Sequence, residues 1–204
     1  MKPFGFSAKP AAEQPASIKL SHSDGSTPAA LSAYFSEILK KLPSYQPIVI
    51  VCVGTDRSTG DSLGPLVGSN LKRRSGASYS LYGTLDEPVH AMNLSDTITA
   101  VETAHRYPFI VAIDACLGQV SSVGSIQVGH GPLKPGAGVN KELPSVGDIH
   151  VTGIVNVGGF MEYFVLQNTR LNLVMNMADV IAGSLHHALC SVRRSSPTSA
   201  LTSD

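Results

Sequence analysis

A run of apolar, mostly β-branched residues at positions 48–53 constrains the fold of this chain more than any other feature. The run ends abruptly at Gly54 and is followed by a polar loop that contains Asp56 and Asp61. From Ser62 onward the sequence reads as a helix. A fully apolar strand is typical of the centre of a parallel sheet, where both faces are buried. Because ligands of open α/β folds bind in the loops after such strands, this loop is the first candidate for a functional site.

Strands and helices alternate along the rest of the chain. The patterns predict helices at 27–42, 63–71, 93–106 and 158–166 and from 168 onward, and strands at 48–53, 79–82, 109–113, 125–128 and 151–157. The strand at 125–128 has the character of an edge strand. This alternation predicts an α/β fold with a mostly parallel sheet that is covered by helices on both faces. Right-handed crossovers would then gather the loops after the first three strands along one edge of the sheet.

The length of 204 residues suits one domain, which we expect to span residues 27–193. Residues 1–26 are rich in Pro, Ala, Ser and Lys, so a disordered tail is expected there, and residues 194–204 are expected to fray. Thr27 is the predicted N-cap of the first helix. A long loop at 129–147, rich in glycine and proline, is expected to cover the site.

Composition excludes several classes of partner. Lysine plus arginine and aspartate plus glutamate both total 15, so no net field attracts nucleic acid or an acidic membrane. No apolar run approaches the ~20 residues of a membrane span, and the start of the chain lacks the apolar core of a signal peptide. The cysteines, Cys52, Cys116 and Cys190, lack metal-site spacing and are expected to be reduced thiols of a cytoplasmic protein. The broad apolar face of the final helix leaves a homodimer open.

Two aspartates carry the most specific chemical signal. Asp61 follows the first strand and Asp114 ends the strand at 109–113, so the predicted topology brings them to one crevice. Two converging carboxyls can share a proton, activate water and protonate a leaving group. The alternative for Asp61 is that it merely caps the following helix. An aspartate at the end of a buried strand is harder to explain by structure alone.

Other chemistry fits less well. The loop after the first strand lacks the lysine of a phosphate-binding loop and the glycine pattern of a dinucleotide site, which argues against a nucleotide. Cys116 is expected to be an inert, partly buried thiol. Mixed oxygen and imidazole ligands, supplied by Asp61, Asp114, His90 and His150, leave a divalent transition metal as an alternative.

Several short motifs together resemble the YyaC-like sporulation protein family of spore-forming bacteria, over roughly residues 28–193. The motifs are VGTDRSTGDSLGP at 53–65, GTL at 83–85, PVHA at 88–91, IDA at 113–115 and DIHVTG at 148–153. More distantly, the pattern is similar to the germination protease of spores and to the hydrogenase maturation endopeptidases. That resemblance implies a three-layer phosphorylase/hydrolase-like fold.

The resemblance also implies roles for individual residues. The germination protease carries Asp-x-Leu-Gly-Pro after its first strand and a Val-Asp-Ala run, which match Asp61 and Asp114 as a catalytic aspartate pair. The maturation endopeptidases combine two acids with a histidine to sense nickel, and His150 is the matching candidate here. Asp61, Asp114 and His150 are therefore the expected metal ligands if a metal is used, although a pure dyad needs no cofactor.

The leading hypothesis is an endopeptidase of sporulation, located in the cytoplasm of the sporulating cell or spore, with protein or peptide substrates such as small acid-soluble spore proteins. Asp61 and Asp114 would activate water, and Thr84, His90, His150 and Asp56 would support substrate binding. The rival hypotheses are a non-catalytic regulatory or binding protein that keeps a peptidase fold, and a metal-dependent hydrolase.

Overall fold

The structure, a computed structural model, describes residues 17–135 and 143–194. Its strands are β1 (Ile18–Ser21), β2 (Ile48–Cys52), β3 (Ser80–Tyr82), β4 (Phe109–Gly118), β5 (Ser125–His130) and β6 (Ile149–Val157). Its helices are α1 (Thr27–Leu39), α2 (Leu63–Lys72), α3 (Leu94–Ala104), α4 (Glu162–Gln167) and α5 (Leu171–Arg194), with 3₁₀ turns at Gly60–Ser62 and Val120–Ser122. Across these described ranges, no helix is both long and apolar enough to cross a membrane.

All six strands form one sheet in the order β1-β5-β6-β4-β2-β3. The strands β6, β4, β2 and β3 run parallel to one another, whereas β5 is antiparallel to both of its neighbours, β6 and β1. The apolar strand β2 lies between β4 and β3, as expected for a strand buried on both faces. The predicted α/β fold with a mostly parallel, mixed sheet is confirmed.

Helices cover both faces of the sheet, which gives the predicted three layers. On one face, Ile50, Ile113 and Val151 pack with α1, α2 and α5 in one apolar cluster. On the other face, alternate strand residues pack with α3 in a second cluster, which includes Val49, Val51 and Ala112. The period of two along each strand sends neighbouring side chains to opposite faces, so both clusters arise from the same apolar runs.

The predicted disordered tail is wrong for residues 18–21, which form β1. Ile18 and Leu20 of this strand pack against the main core, while its alternate residues are exposed. Because β1 pairs with β5, the strand at Ser125–His130 is not an edge strand, and the edges are β1 and β3. Thr27 is the first residue of α1 rather than its N-cap, and its hydroxyl donates a 2.6 Å hydrogen bond to the Ser21 carbonyl. Pairing between segments distant in the sequence decided these features. Residues 1–16 of the predicted tail lie outside the described part of the chain.

The strand that carries Asp114 is longer than predicted. It continues beyond Asp114 to Gly118 because β6 offers partners over that whole length, with a register shift between Cys116 and Leu117. Asp114 therefore lies within a strand and not at its end. The predicted loop at 129–147 is also shorter at both sides, since β5 extends to His130 and a bridge pairs Leu133 with Val146. Residues 136–142 of that loop are outside the described residues.

The apolar spacing of the final helix predicts an inner face that includes Leu171, Val174, Met175, Ala178 and Ile181. The helix is confirmed, but this face differs in part from the prediction. Val174, Ala178 and Ile181 are buried as expected. Leu171 and Met175, predicted to face inward, are 54% and 47% exposed. Both lie in the first turns of α5, where Val174 and Met177 are the residues that enter the main core.

Candidate active site

The loop after β2 is held in a closed turn that presents Asp61 at the carboxyl edge of the sheet. Gly54 has a φ of 140°, and a Cβ atom there would lie 2.0 Å from the Asp61 carbonyl oxygen, so only glycine fits. The Thr55 backbone N–H donates a 3.1 Å hydrogen bond to that same carbonyl, which closes the loop. Asp61 itself lies in the 3₁₀ turn Gly60–Ser62, directly before α2.

Asp114 approaches the same place from the neighbouring strand. Its residue is only 8% exposed, and its register partner in β6 is Thr152. The Asp114 Oδ1 atom accepts a 2.8 Å hydrogen bond from the Ala115 backbone N–H. A buried carboxyl with a single backbone donor is far less solvated than it would be in water, which favours its neutral form.

The two aspartates influence each other's ionisation. Burial, and then the negative charge of Asp61, raise the pKa of Asp114 well above its ordinary value, against the effect of the Ala115 N–H. Burial also raises the pKa of Asp61, while the Thr55 N–H and the charge of His90 oppose that rise. Asp114 is therefore the carboxyl that holds its proton to higher pH, and Asp61 is the one that ionises first.

Both carboxyls line one cavity of about 340 Å³. Its polar lining consists of Thr55, Arg57, Ser58, Asp61, His90 and Asp114. Its apolar lining includes Val53, Ala91, Met92, Leu143, Tyr163 and Leu166. A wider groove of about 1130 Å³ between α1 and α5 contains none of the predicted site residues. The smaller cavity, which combines an apolar wall with a few convergent polar groups, has the character of a ligand site.

The predicted supporting residue His90 lies in this cavity. Its Nδ1 atom accepts a 3.2 Å hydrogen bond from the Met92 backbone N–H. Its backbone N–H donates to the Asn93 Oδ1 atom at 2.8 Å, which ties the loop to the start of α3. His90 is thus held in a defined orientation beside Asp61.

Two other predicted supporting residues do not reach the cavity. The Thr84 hydroxyl accepts a 3.2 Å hydrogen bond from the Glu87 N–H and lines a neighbouring pocket of about 500 Å³, which shares His90 with the cavity. Asp56 is exposed and is not part of the cavity lining. A supporting role for Asp56 at the aspartates is therefore not favoured by its position, since the loop turns its tip toward solvent.

The structure does not bring His150 together with the aspartates. His150 pairs with Ala112, two residues before Asp114, and its Nδ1–H donates a 3.0 Å hydrogen bond to the Gly131 carbonyl. The ring packs over Gly129, where a Cβ atom would lie 2.6 Å from its Nε2 atom. In the described ranges, no group of three or more histidine, cysteine or acidic side chains is arranged to hold a metal ion. The predicted metal set of Asp61, Asp114 and His150 is therefore not assembled.

Sequence reasoning missed part of the cavity wall. Tyr163 and Leu166 come from α4, a short helix with no buried residue and no sequence signal that links it to the aspartates. Ser58 also lines the cavity, and its place in the same loop as Asp61 is the sequence signal that could have identified it. The expectation that Cys116 is a poor nucleophile agrees with its raised pKa, which results mainly from burial.

Fold and site together define an α/β domain in which two aspartates line one cavity at the carboxyl edge of a mostly parallel sheet. The chain belongs to the family described as "Protein of unknown function (DUF1256)", which matches residues 19–184. It is 60% identical over 166 residues to the "Uncharacterized protein YyaC" of Bacillus subtilis (strain 168), covering 81% of this chain and 80% of that protein. The expected YyaC-like family is thereby confirmed.

A solved structure is also similar to the chain. The crystal structure of the [NiFe] hydrogenase maturation protease HycI from Thermococcus kodakarensis KOD1 aligns with a TM-score of 0.46 and 16% sequence identity. The alignment covers 73% of this chain and 99% of that one.

Proposed function

We propose that this protein is a peptidase in which Asp61 and Asp114 form a catalytic dyad. The observation that carries the proposal is the pair of carboxyls in one cavity, each with a raised pKa and with the charge of Asp61 acting on Asp114. Opposite protonation states on two neighbouring carboxyls supply a base and an acid at the same pH.

The proposed reaction uses the two carboxyls in sequence. The ionised Asp61 takes a proton from a water molecule as its oxygen attacks the carbonyl carbon of the peptide bond. Asp114 donates its proton to the carbonyl oxygen, which gives a neutral tetrahedral intermediate. Collapse of that intermediate breaks the C–N bond, the leaving nitrogen takes the proton from Asp61, and Asp114 recovers its proton from the hydroxyl.

The apolar wall of the cavity supports an apolar substrate side chain next to the bond that is cleaved. Met92 and Tyr163, which contribute to this wall, are 77% and 60% exposed and so are free to pack against an incoming chain. The resemblance to spore proteins supports a cytoplasmic setting in the sporulating cell, with small acid-soluble spore proteins as the first substrates to test.

An Asp61→Asn variant is expected to lose cleavage, because the amide cannot accept the proton of the attacking water. General acid–base groups of this kind contribute about 10²–10⁴-fold to rate. The measurement is mass spectrometry of new chain termini after incubation with spore-coat and small acid-soluble protein extracts and with a peptide pool from a whole proteome.

The matched control is Asp56→Asn, which removes a carboxylate from the same loop at an exposed position outside the cavity. It is expected to cleave at the wild-type rate. Wild-type protein that generates no new termini in any of these mixtures, or an Asp61→Asn variant as active as Asp56→Asn, would contradict the peptidase. The absence of all turnover would favour a binding protein that keeps this fold.

The rate of cleavage is expected to follow a bell-shaped pH profile. Activity is lost as the pH falls through the pKa of Asp61, because the base becomes protonated, and as the pH rises through the pKa of Asp114, because the acid ionises. Since both pKa values are raised, the acid limb is expected above about 3.9, the ordinary value for aspartate. The charge of His90 lowers the pKa of Asp61, so His90→Asn is expected to shift the acid limb to higher pH. A shift to lower pH would show that the limb belongs to another group.

A further inference from the structure

We propose that Ser58 is a substrate-binding residue, whose hydroxyl donates a hydrogen bond to the carbonyl oxygen of the peptide bond that is cleaved. The inference rests on the proposed peptidase function and deepens it. The Ser58 Oγ atom is buried and has no hydrogen-bond partner among the described residues.

A buried hydroxyl without a partner is costly, and native structures satisfy the great majority of such groups. Ser58 as a residue is only 8% exposed, although the neighbouring Asp56 and Arg57 are exposed. The loop thus turns a small polar side chain inward and leaves its longer neighbours outside. The other serine of this loop region, Ser62, uses its hydroxyl in a 2.6 Å hydrogen bond to the Thr59 carbonyl.

The position of Ser58 indicates that its hydroxyl binds a ligand in the cavity. Ser58 lines the same cavity as Asp61 and Asp114, three residues before Asp61 in a loop that the Thr55–Asp61 hydrogen bond holds closed. A buried hydroxyl without a partner, in the wall of the cavity that holds the two carboxyls, can bind a ligand atom without first breaking an internal hydrogen bond. Donors prepared in advance in this way stabilise charge that develops during a reaction.

A carbonyl oxygen is the ligand that fits this arrangement. The proposed reaction increases negative charge on the substrate carbonyl oxygen, and the two carboxyls of the cavity offer one proton for it. The carbonyl oxygen has two lone pairs, so it can accept a hydrogen bond from Ser58 while it receives the proton of Asp114. Ser58 thereby adds a neutral donor to a cavity in which a further negative group would be repelled.

The first test measures thermal unfolding of Ser58→Ala in the absence of substrate. Because the variant removes an unsatisfied hydroxyl, its Tm is expected to equal or exceed that of the wild type by up to about 2–4 °C. The matched control is Ser184→Ala, since Ser184 is only 2% exposed and its hydroxyl donates a 3.1 Å hydrogen bond to the Pro28 carbonyl. Ser184→Ala is expected to lower the Tm, and a similar fall for Ser58→Ala would overturn the proposal.

The second test measures kcat and KM of Ser58→Ala and Ser58→Cys on a peptide that the wild type cleaves. Cysteine has the same branching as serine and is slightly larger, but its thiol is a weak donor, so both variants are expected to lose about 10²-fold in kcat with KM changed less than about threefold. Ser184→Ala is expected to keep the wild-type kcat.

The outcomes separate this proposal from the one on which it rests. If the wild type cleaves and the Ser58 variants cleave equally well, only the role of Ser58 is overturned. The role of Ser58 is also overturned if KM rises with kcat unchanged, because the hydroxyl would then bind another part of the substrate. It is overturned as well if Ser58→Cys keeps full activity, because the shape of the side chain alone would then matter. If the wild type and the exposed-loop control cleave nothing, the peptidase itself fails and the role of Ser58 fails with it.

Discussion

An Asp114→Asn variant is expected to lose about 10²–10⁴-fold in kcat/KM and, at neutral pH, to unfold at a higher temperature than the wild type. The loss of activity follows because asparagine cannot deliver a proton to the carbonyl oxygen. The gain in stability follows because asparagine keeps an oxygen that can accept the 2.8 Å hydrogen bond from Ala115 but never carries the charge that burial and Asp61 oppose. A residue that serves only the fold would not combine these two effects.

The stability gain of Asp114→Asn is expected to depend on pH in a definite direction. An aspartate whose pKa is raised in the folded state binds more protons when folded than when unfolded, so wild-type stability falls as the pH rises between its unfolded and folded pKa values. The difference in Tm between variant and wild type should therefore be small near pH 4 and grow with increasing pH until Asp114 is fully ionised.

Thermal unfolding at a series of pH values measures this difference, and Asp56→Asn provides the control because Asp56 is exposed in the same loop. A Tm difference that stays constant or shrinks as the pH rises would show that the pKa of Asp114 is not raised. A stabilised variant that keeps full activity would instead remove Asp114 from the catalytic dyad while leaving its burial intact.

A Gly64→Ala variant is expected to lose about 3 kcal/mol or more in the free energy of unfolding. Gly64 lies in the first turn of α2, where a Cβ atom would lie 2.0 Å from the Val53 carbonyl oxygen and 2.9 Å from the Val53 nitrogen. These are backbone atoms of the residue that directly follows β2, and they cannot move without moving the loop that carries Asp61. Urea unfolding, with far-ultraviolet circular dichroism as the probe, measures the loss.

Gly183→Ala is the matched control, because Gly183 also lies within a helix but has room for a Cβ atom. The nearest atom to a Cβ at Gly183 is Nη2 of Arg74 at 3.8 Å, an ordinary contact distance. Alanine is the better helix former, so this variant is expected to gain about 0.5–1 kcal/mol. If Gly64→Ala were as stable as the wild type, α2 would have to pack less closely on β2 than the distances here imply.

Much of the site region could be predicted because it depends on neighbours along the chain. The apolar run before Gly54 forms a strand whatever the rest of the fold does, and the helix after Asp61 follows from local pattern and from Pro65 in its first turn. The parallel order of β2, β3 and β4 follows from the crossover rule. Together these local features were enough to bring Asp61 and Asp114 to one cavity.

Long-range packing decided what local pattern could not. His150 was predicted to join the aspartates, but the strand register places it opposite Ala112. Its ring Nδ1–H donates a hydrogen bond to the Gly131 carbonyl. The extent of β4 beyond Asp114 depends on how many partners β6 offers, which the sequence of β4 does not encode. The strand β1 exists because β5 has a free edge for it.

The sequence by itself determined the class of fold and the meeting of Asp61 and Asp114 at one crevice, because both depend on apolar period and strand order. Only the tertiary structure decided that Asp114 is buried within a strand, that α4 supplies Tyr163 and Leu166 to the wall, and that Ser58 points inward without a partner. Burial and hydrogen bonding depend on contacts between segments far apart in the chain, so they are decided only when the fold brings those segments together.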